Sequence, residues 1–154
     1  MQATDQLLSF QIKPESIEPT LSQKIQDYRQ AVDSLLEQPQ FNWQNLMAPL
    51  AELDVHFHHF WSPISHINNV NNTDAMRNAY NLCIPLLSNF STEMGQNKKL
   101  FTAIESISAH EKDLDSSQQV ILKNHIRDFK LSGVDLDTDK KNQYKLYMVE
   151  EVLG

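Results

Sequence analysis

Three glycines in 154 residues are too few for a turn-rich β architecture, where tight turns and bulges draw on glycine for positive φ. They stand far apart, so no glycine-rich loop is available to cradle a phosphate. The single cysteine, Cys83, excludes an internal disulfide and points to a reducing compartment. Basic residues are outnumbered, 13 against 20 acidic, which leaves a formal charge of −7. Nucleic acid and anionic lipid both call for a basic surface, so neither is expected as a partner. No run approaches the roughly 20 apolar residues that span a bilayer. The opening MQATDQLLSFQIKPES has neither the basic start nor the apolar stretch of a secretory signal. What remains is the expectation of one cytoplasmic, helical domain over residues 1–154.

What is present is helical periodicity. Leu21, Ile25, Tyr28, Val32 and Leu35 recur at spacings of four and three, after Pro19 and before Pro39. Pro19 suits the first turn of a helix, where its missing N–H has no partner to lose. A second stripe runs through Leu46, Leu50, Leu53, Phe57, Phe60, Ile64 and Ile67, with Asn42 as its N-cap. A third, capped by Thr73, runs through Met76, Tyr80, Cys83, Leu87, Phe90 and Met94, and Gly95 follows where a left-handed residue would end the helix. Shorter segments cover 98–108, the stretch from Ser116 to Gly133, and the stretch from Thr138 onward. No run alternates at period two. The expectation is an all-α bundle of five to six mostly antiparallel helices, kinked at the internal prolines Pro63 and Pro85.

The stretch HFHHFWSPISH, 56–66, holds four of the six histidines. Zinc takes three or four ligands at about 2.0–2.3 Å, and on a helix these recur at i, i+3 or i+4. His56 and His59 have that spacing, yet His58, His59 and His66 fall on the outward side of the apolar stripe and His56 borders it. Only Asp54 stands near them as an acidic neighbour, and it diverges from His59. AHEKDLD begins like the zinc-peptidase motif H-E-x-x-H, but Leu114 stands where the second histidine belongs, and His110 and Glu111 read as a loop. Cys83 lies on an apolar stripe and reads as a small core residue. Carboxylates are plentiful and scattered. No catalytic, cofactor-binding or metal-ligating residue is therefore nominated.

FNWQNLMAPLAELD, FWSPISHINNVNNTDAMRNAYNLCIPLLSNFSTEMGQNKKLF and IRDFKLSGVDL, in that order and after the opening IKPESIEP, resemble the N-terminal helical region of the oligopeptidase A and thimet oligopeptidase family. The resemblance runs from about Ile12 to Tyr144 and is most specific at SPISHINNV, 62–70, and RDFKLSG, 127–133. It implies an N-terminal part of a zinc metallo-endopeptidase of short peptides. There these helices help to wall a channel between two lobes, and zinc and the catalytic glutamate belong to a downstream H-E-x-x-H helix. None of those ligands has a counterpart here, so no cofactor is expected in this chain, and zinc is expected in the full-length parent. The resemblance also carries His66. There it either satisfies a carbonyl at the Pro63 kink, the reading preferred, or touches substrate. His56, His58 and His59 are local variation with no role assigned.

The expected partners are the catalytic lobe of the parent and, in the full-length enzyme, short peptides. The chain is read as a fragment or truncated form, inactive alone and without stoichiometric zinc. The rival readings are a stand-alone helical interaction module and a metal-binding helical protein using the histidines at 56–66. Tyr144, Tyr147, Met148, Val152 and Leu153 give the last helix a wide apolar circumference, from which self-association is expected. If the second stripe is a buried seam, Phe57→Ala is expected to cost about 3–5 kcal/mol and His58→Ala under about 0.5 kcal/mol.

Overall fold

A computed structural model describes residues 13–136 and 138–153. Those residues form an all-α bundle with no strand among them. Six α-helices follow one another: α1 (Pro14–Leu35), α2 (Ala48–Val70), α3 (Asp74–Gly95), α4 (Lys98–His110), α5 (Ser116–Leu131) and α6 (Thr138–Leu153), with a π-helical turn at Trp43–Met47 leading into α2. Ile12 and the residues before it lie outside the described part of the chain.

Helix α1 begins five residues before the expected Pro19. Pro14 takes the first-turn position, and Pro19 sits inside the helix. Pro19 is exposed, and so is Glu15, whose carbonyl loses its donor, which leaves that carbonyl on a solvent-facing side of the helix. Helices α2 and α3 run on through Pro63 and Pro85 without a break. The caps at Asn42 and Thr73 are as expected. Asn42 and Asn45 exchange reciprocal backbone-to-side-chain bonds of 2.8 Å each, and Thr73 Oγ1 accepts from Met76 N at 3.2 Å.

The π turn has an identifiable cause. Pro49 has no N–H to give the Asn45 carbonyl. The chain widens instead, so that Ala48 N bonds Trp43 O five residues back. Gln38 Nε2 then donates to the Asn45 carbonyl at 2.9 Å and to that of Leu35 at 2.9 Å. One side chain thus satisfies an orphan at the end of α1 and another in the π turn.

Helix α3 is the hub, touching α1, α2, α5 and α6. Two cores form around it. The first gathers Val32, Leu46, Leu50, Leu100, Phe101, Ile104, Ile107, Leu122, Phe129 and Val134. The second gathers Ile17, Leu21, Ile25, Ile64, Met76, Ala79, Cys83 and Phe90. Helix α1 feeds both, with its first three turns in the second core and Val32 in the first. Tyr28 and Met94 pack against both. Phe57, expected to be fully buried, is half-buried at the edge of the second core. On α6 the apolar side chains Leu146, Tyr147, Val152 and Leu153 are exposed.

Candidate functional site

The residues singled out by the sequence do not meet in one place. His56, His58, His59 and His66 are all exposed on α2. Glu52 precedes His56 by one turn and is exposed as well, so Asp54 is not the sole acidic neighbour at ligand spacing. Asp54 is engaged elsewhere, accepting a 2.5 Å hydrogen bond from the Tyr28 hydroxyl. The His66 side chain makes no hydrogen bond to another described residue, so the carbonyl contact preferred for it is not seen. Nor do any three of the histidine, cysteine, aspartate and glutamate side chains among the described residues converge in a way that could hold a metal ion. The donor set present therefore does not fit zinc. His58→Ala is expected to change the unfolding free energy by less than about 0.5 kcal/mol, since solvated surface positions contribute little. A urea titration checks this, and a loss above about 1 kcal/mol would place that face inside the fold.

His110 is the last residue of α4 rather than part of a loop, and Glu111 caps that helix. The Glu111 carboxylate accepts from Trp43 N at 2.9 Å. A negative charge there complements the positive end of the turn it meets, so the glutamate of the incomplete motif ties the π turn to the end of α4. Sequence spacing carried no signal for a pair so far apart. Cys83 is fully buried, and burial, with the Glu18 carboxylate adding to it, pushes its thiol up to about 11. It remains protonated at neutral pH and is a core residue rather than a nucleophile.

The two most specific stretches of the resemblance have structural occupations. In RDFKLSG, Phe129 is buried and Gly133 adopts φ 83°, the left-handed conformation that glycine takes without strain. Gln96 Nε2 donates to the Ser132 carbonyl at 2.8 Å. A methyl group on Gly95 would stand 2.5 Å from Ser132 Oγ and 2.7 Å from its Cβ. Gly95 does not adopt positive φ. It ends α3 without a side chain because the α5–α6 connection lies against it. In SPISHINNV, Ile64 is buried in the second core, and the buried Asn68 Oδ1 has no hydrogen-bond partner among the described residues.

A seam joins these parts. The Tyr28 ring meets Phe90 edge-on at 5.1 Å and Phe57 at 6.1 Å. Burial, then the hydrogen bond to Asp54, raises the Tyr28 phenol well above its usual range. Arg29 bonds Glu93 with Nη2 at 2.8 Å and Nε at 2.9 Å, fastening α1 to α3 beside the seam. Both side chains are some 40% exposed (40% and 43%), so the pair adds little stability but fixes alignment. No helix among the described residues is long and apolar enough to cross a membrane.

The family model for the N-terminal domain of neurolysin and thimet oligopeptidase matches residues 21–141. Oligopeptidase A of Haemophilus influenzae is 42% identical over 136 residues, which is 87% of this chain and 20% of that protein. Oligopeptidase A of Salmonella typhimurium is 38% identical and that of Escherichia coli 36%, each over 136 residues and 20% of its length. The chain thus spans about a fifth of the length of the curated relatives it matches. With most of its helices inside the match, and with both RDFKLSG and SPISHINNV occupied in the fold, the chain belongs to the neurolysin/thimet oligopeptidase N-terminal domain family.

Proposed function

We propose that this chain is the N-terminal helical portion of a cytoplasmic, zinc-dependent oligopeptidase of short peptides, where it forms part of one channel wall and performs no chemistry itself. Residues 1–154 then act as one α-helical domain whose partner is the catalytic lobe. The observation that carries the reading is the match over residues 21–141. The exposed apolar side chains of α6 fit a domain that rests against further protein. Zinc, with the glutamate that activates water, is assigned to the catalytic lobe, because the donor set here does not fit it. The buried free thiol Cys83 suits a reducing cytoplasm.

A graft tests the wall role. Residues 13–141 replace the matching segment of Haemophilus influenzae oligopeptidase A, and hydrolysis of quenched peptides of increasing length is followed. The expected chimera retains kcat within about tenfold, roughly 1.4 kcal/mol of barrier, and changes KM and the upper length limit. The isolated chain is expected to show no turnover with zinc added. A folded chimera whose length limit and KM match the parent's would refute a channel-wall role. Chelator-sensitive turnover by the isolated chain would refute the division of labour.

The second reading, a stand-alone interaction module, draws on the groove described next. The coding sequence after Gly154 separates the two, since a continuing frame with H-E-x-x-H belongs to an enzyme and a stop codon to a module.

A further inference from the structure

A groove of about 880 Å³ lies between the 36–41 connection and α4. Its floor is apolar, from Leu36, Phe41 and the buried Ala103. The charged groups that line it are all cationic or protonatable: Lys98 and Lys99 at one end and His110 at the other. No carboxylate lines it, although acidic residues outnumber basic ones in the chain by 20 to 13. The two lysines occupy the first turn of α4, which carries no acidic residue. There the positive end of the helix dipole opposes them. Both are exposed, and neither has an ion-pair partner among the described residues. The structure therefore holds two unneutralised cations at an unfavourable helix end, beside an uncovered apolar floor.

We infer that this groove docks a short acidic peptide segment with an apolar anchor. Its carboxylates meet Lys98 and Lys99, and its large apolar side chain lies over Ala103 between Leu36 and Phe41. From Lys98 to His110 the groove follows α4 for about 18 Å at 1.5 Å per residue. Five or so extended residues cover that length at roughly 3.5 Å each. Carboxylates brought to the lysines gain from both the ammonium groups and the helix end. The anchor removes apolar surface from water. Nucleic acid would satisfy the lysines but not the floor, and the charge of −7 opposes it. The inference stands apart from the peptidase reading and survives that reading's failure.

The probe is a fluorescein-labelled, capped hexapeptide that begins with two glutamates and ends in phenylalanine and leucine, titrated with the full chain by anisotropy. Saturable binding that weakens as salt rises is expected. Lys98→Glu with Lys99→Glu should lower affinity at least tenfold while leaving the melting temperature equal or higher, because acidic residues suit that helix end. Thr102→Trp, at an exposed position lining the groove, should also abolish binding without reversing any charge. A peptide with lysines in place of the glutamates, or serines in place of the apolar pair, should bind at least tenfold more weakly. Absence of saturable binding at 1 mM peptide, roughly the −4 kcal/mol level, overturns the inference. So does affinity indifferent to the charge reversal. A doubling of mass by light scattering that the charge reversal abolishes would assign the groove to a second copy and overturn it as well.

Discussion

Phe90→Ala is expected to destabilise the fold by about 3–5 kcal/mol, the range for removing a large buried aromatic, which is a large share of a small domain's stability. Phe90 is 8% exposed and sits where the second core meets the seam. It packs against Tyr28 at 5.1 Å and Phe57 at 5.8 Å, with the Arg29 guanidinium 5.8 Å from its ring centre. Truncation removes the ring's transfer energy, leaves a void among rigid neighbours and deprives Tyr28 of its edge-to-face partner. Phe57 lacks that enclosure. Because it is half-buried, Phe57→Ala is expected to cost about 1.5–3 kcal/mol, below the figure its place on the stripe implies. Urea titrations of both variants decide the ranking. Equal losses would mean that the aromatic group does not centre on Phe90.

The second large effect is at Gly95. Alanine in place of a helical glycine ordinarily adds up to about 1 kcal/mol. Here the new methyl group would overlap Ser132 at 2.5 and 2.7 Å, and Ser132 is held in place by the Gln96 bond to its carbonyl and by the left-handed Gly133. Gly95→Ala is therefore expected to lose about 1–3 kcal/mol, as overpacking does, against the propensity trend. Ser132→Gly removes both clashing atoms, so in the double variant most of the loss should return. The coupling read from the four proteins by thermal melts should be at least about 1 kcal/mol. Additive effects would mean that the end of α3 and the α5–α6 connection are not in contact.

Much of the fold was legible because it rests on period. Stripes at four and three place the helices, and the side-chain caps at Asn42 and Thr73 are local chemistry, confined to three residues. The failures share a cause. Gly95 reads as a helix stop because glycine ends helices; its real constraint comes from Ser132, 37 positions away in the chain. Pro19 reads as a start because nothing in its own turn shows that Pro14 already fills that place. The π turn follows from Pro49 together with Gln38, whose amide reaches across the connection. Glu111 reads as half of a metal motif and serves Trp43. The groove was least legible, since it is made by packing two segments, 36–41 and α4, that carry no motif.

The two cores meet along a seam at Tyr28 and Met94, and each has one of the chain's two tryptophans at its margin. Trp43 packs against the first core, and Trp61 packs against the second, stacked on Tyr80 at 5.3 Å. The protein thus carries its own pair of optical reporters, one for each half. Emission from Trp43 in a Trp61→Phe background follows the half that holds the cationic groove, and the converse variant follows the half that holds the histidine face. An event at either surface can be located by its own colour shift, without attaching a dye.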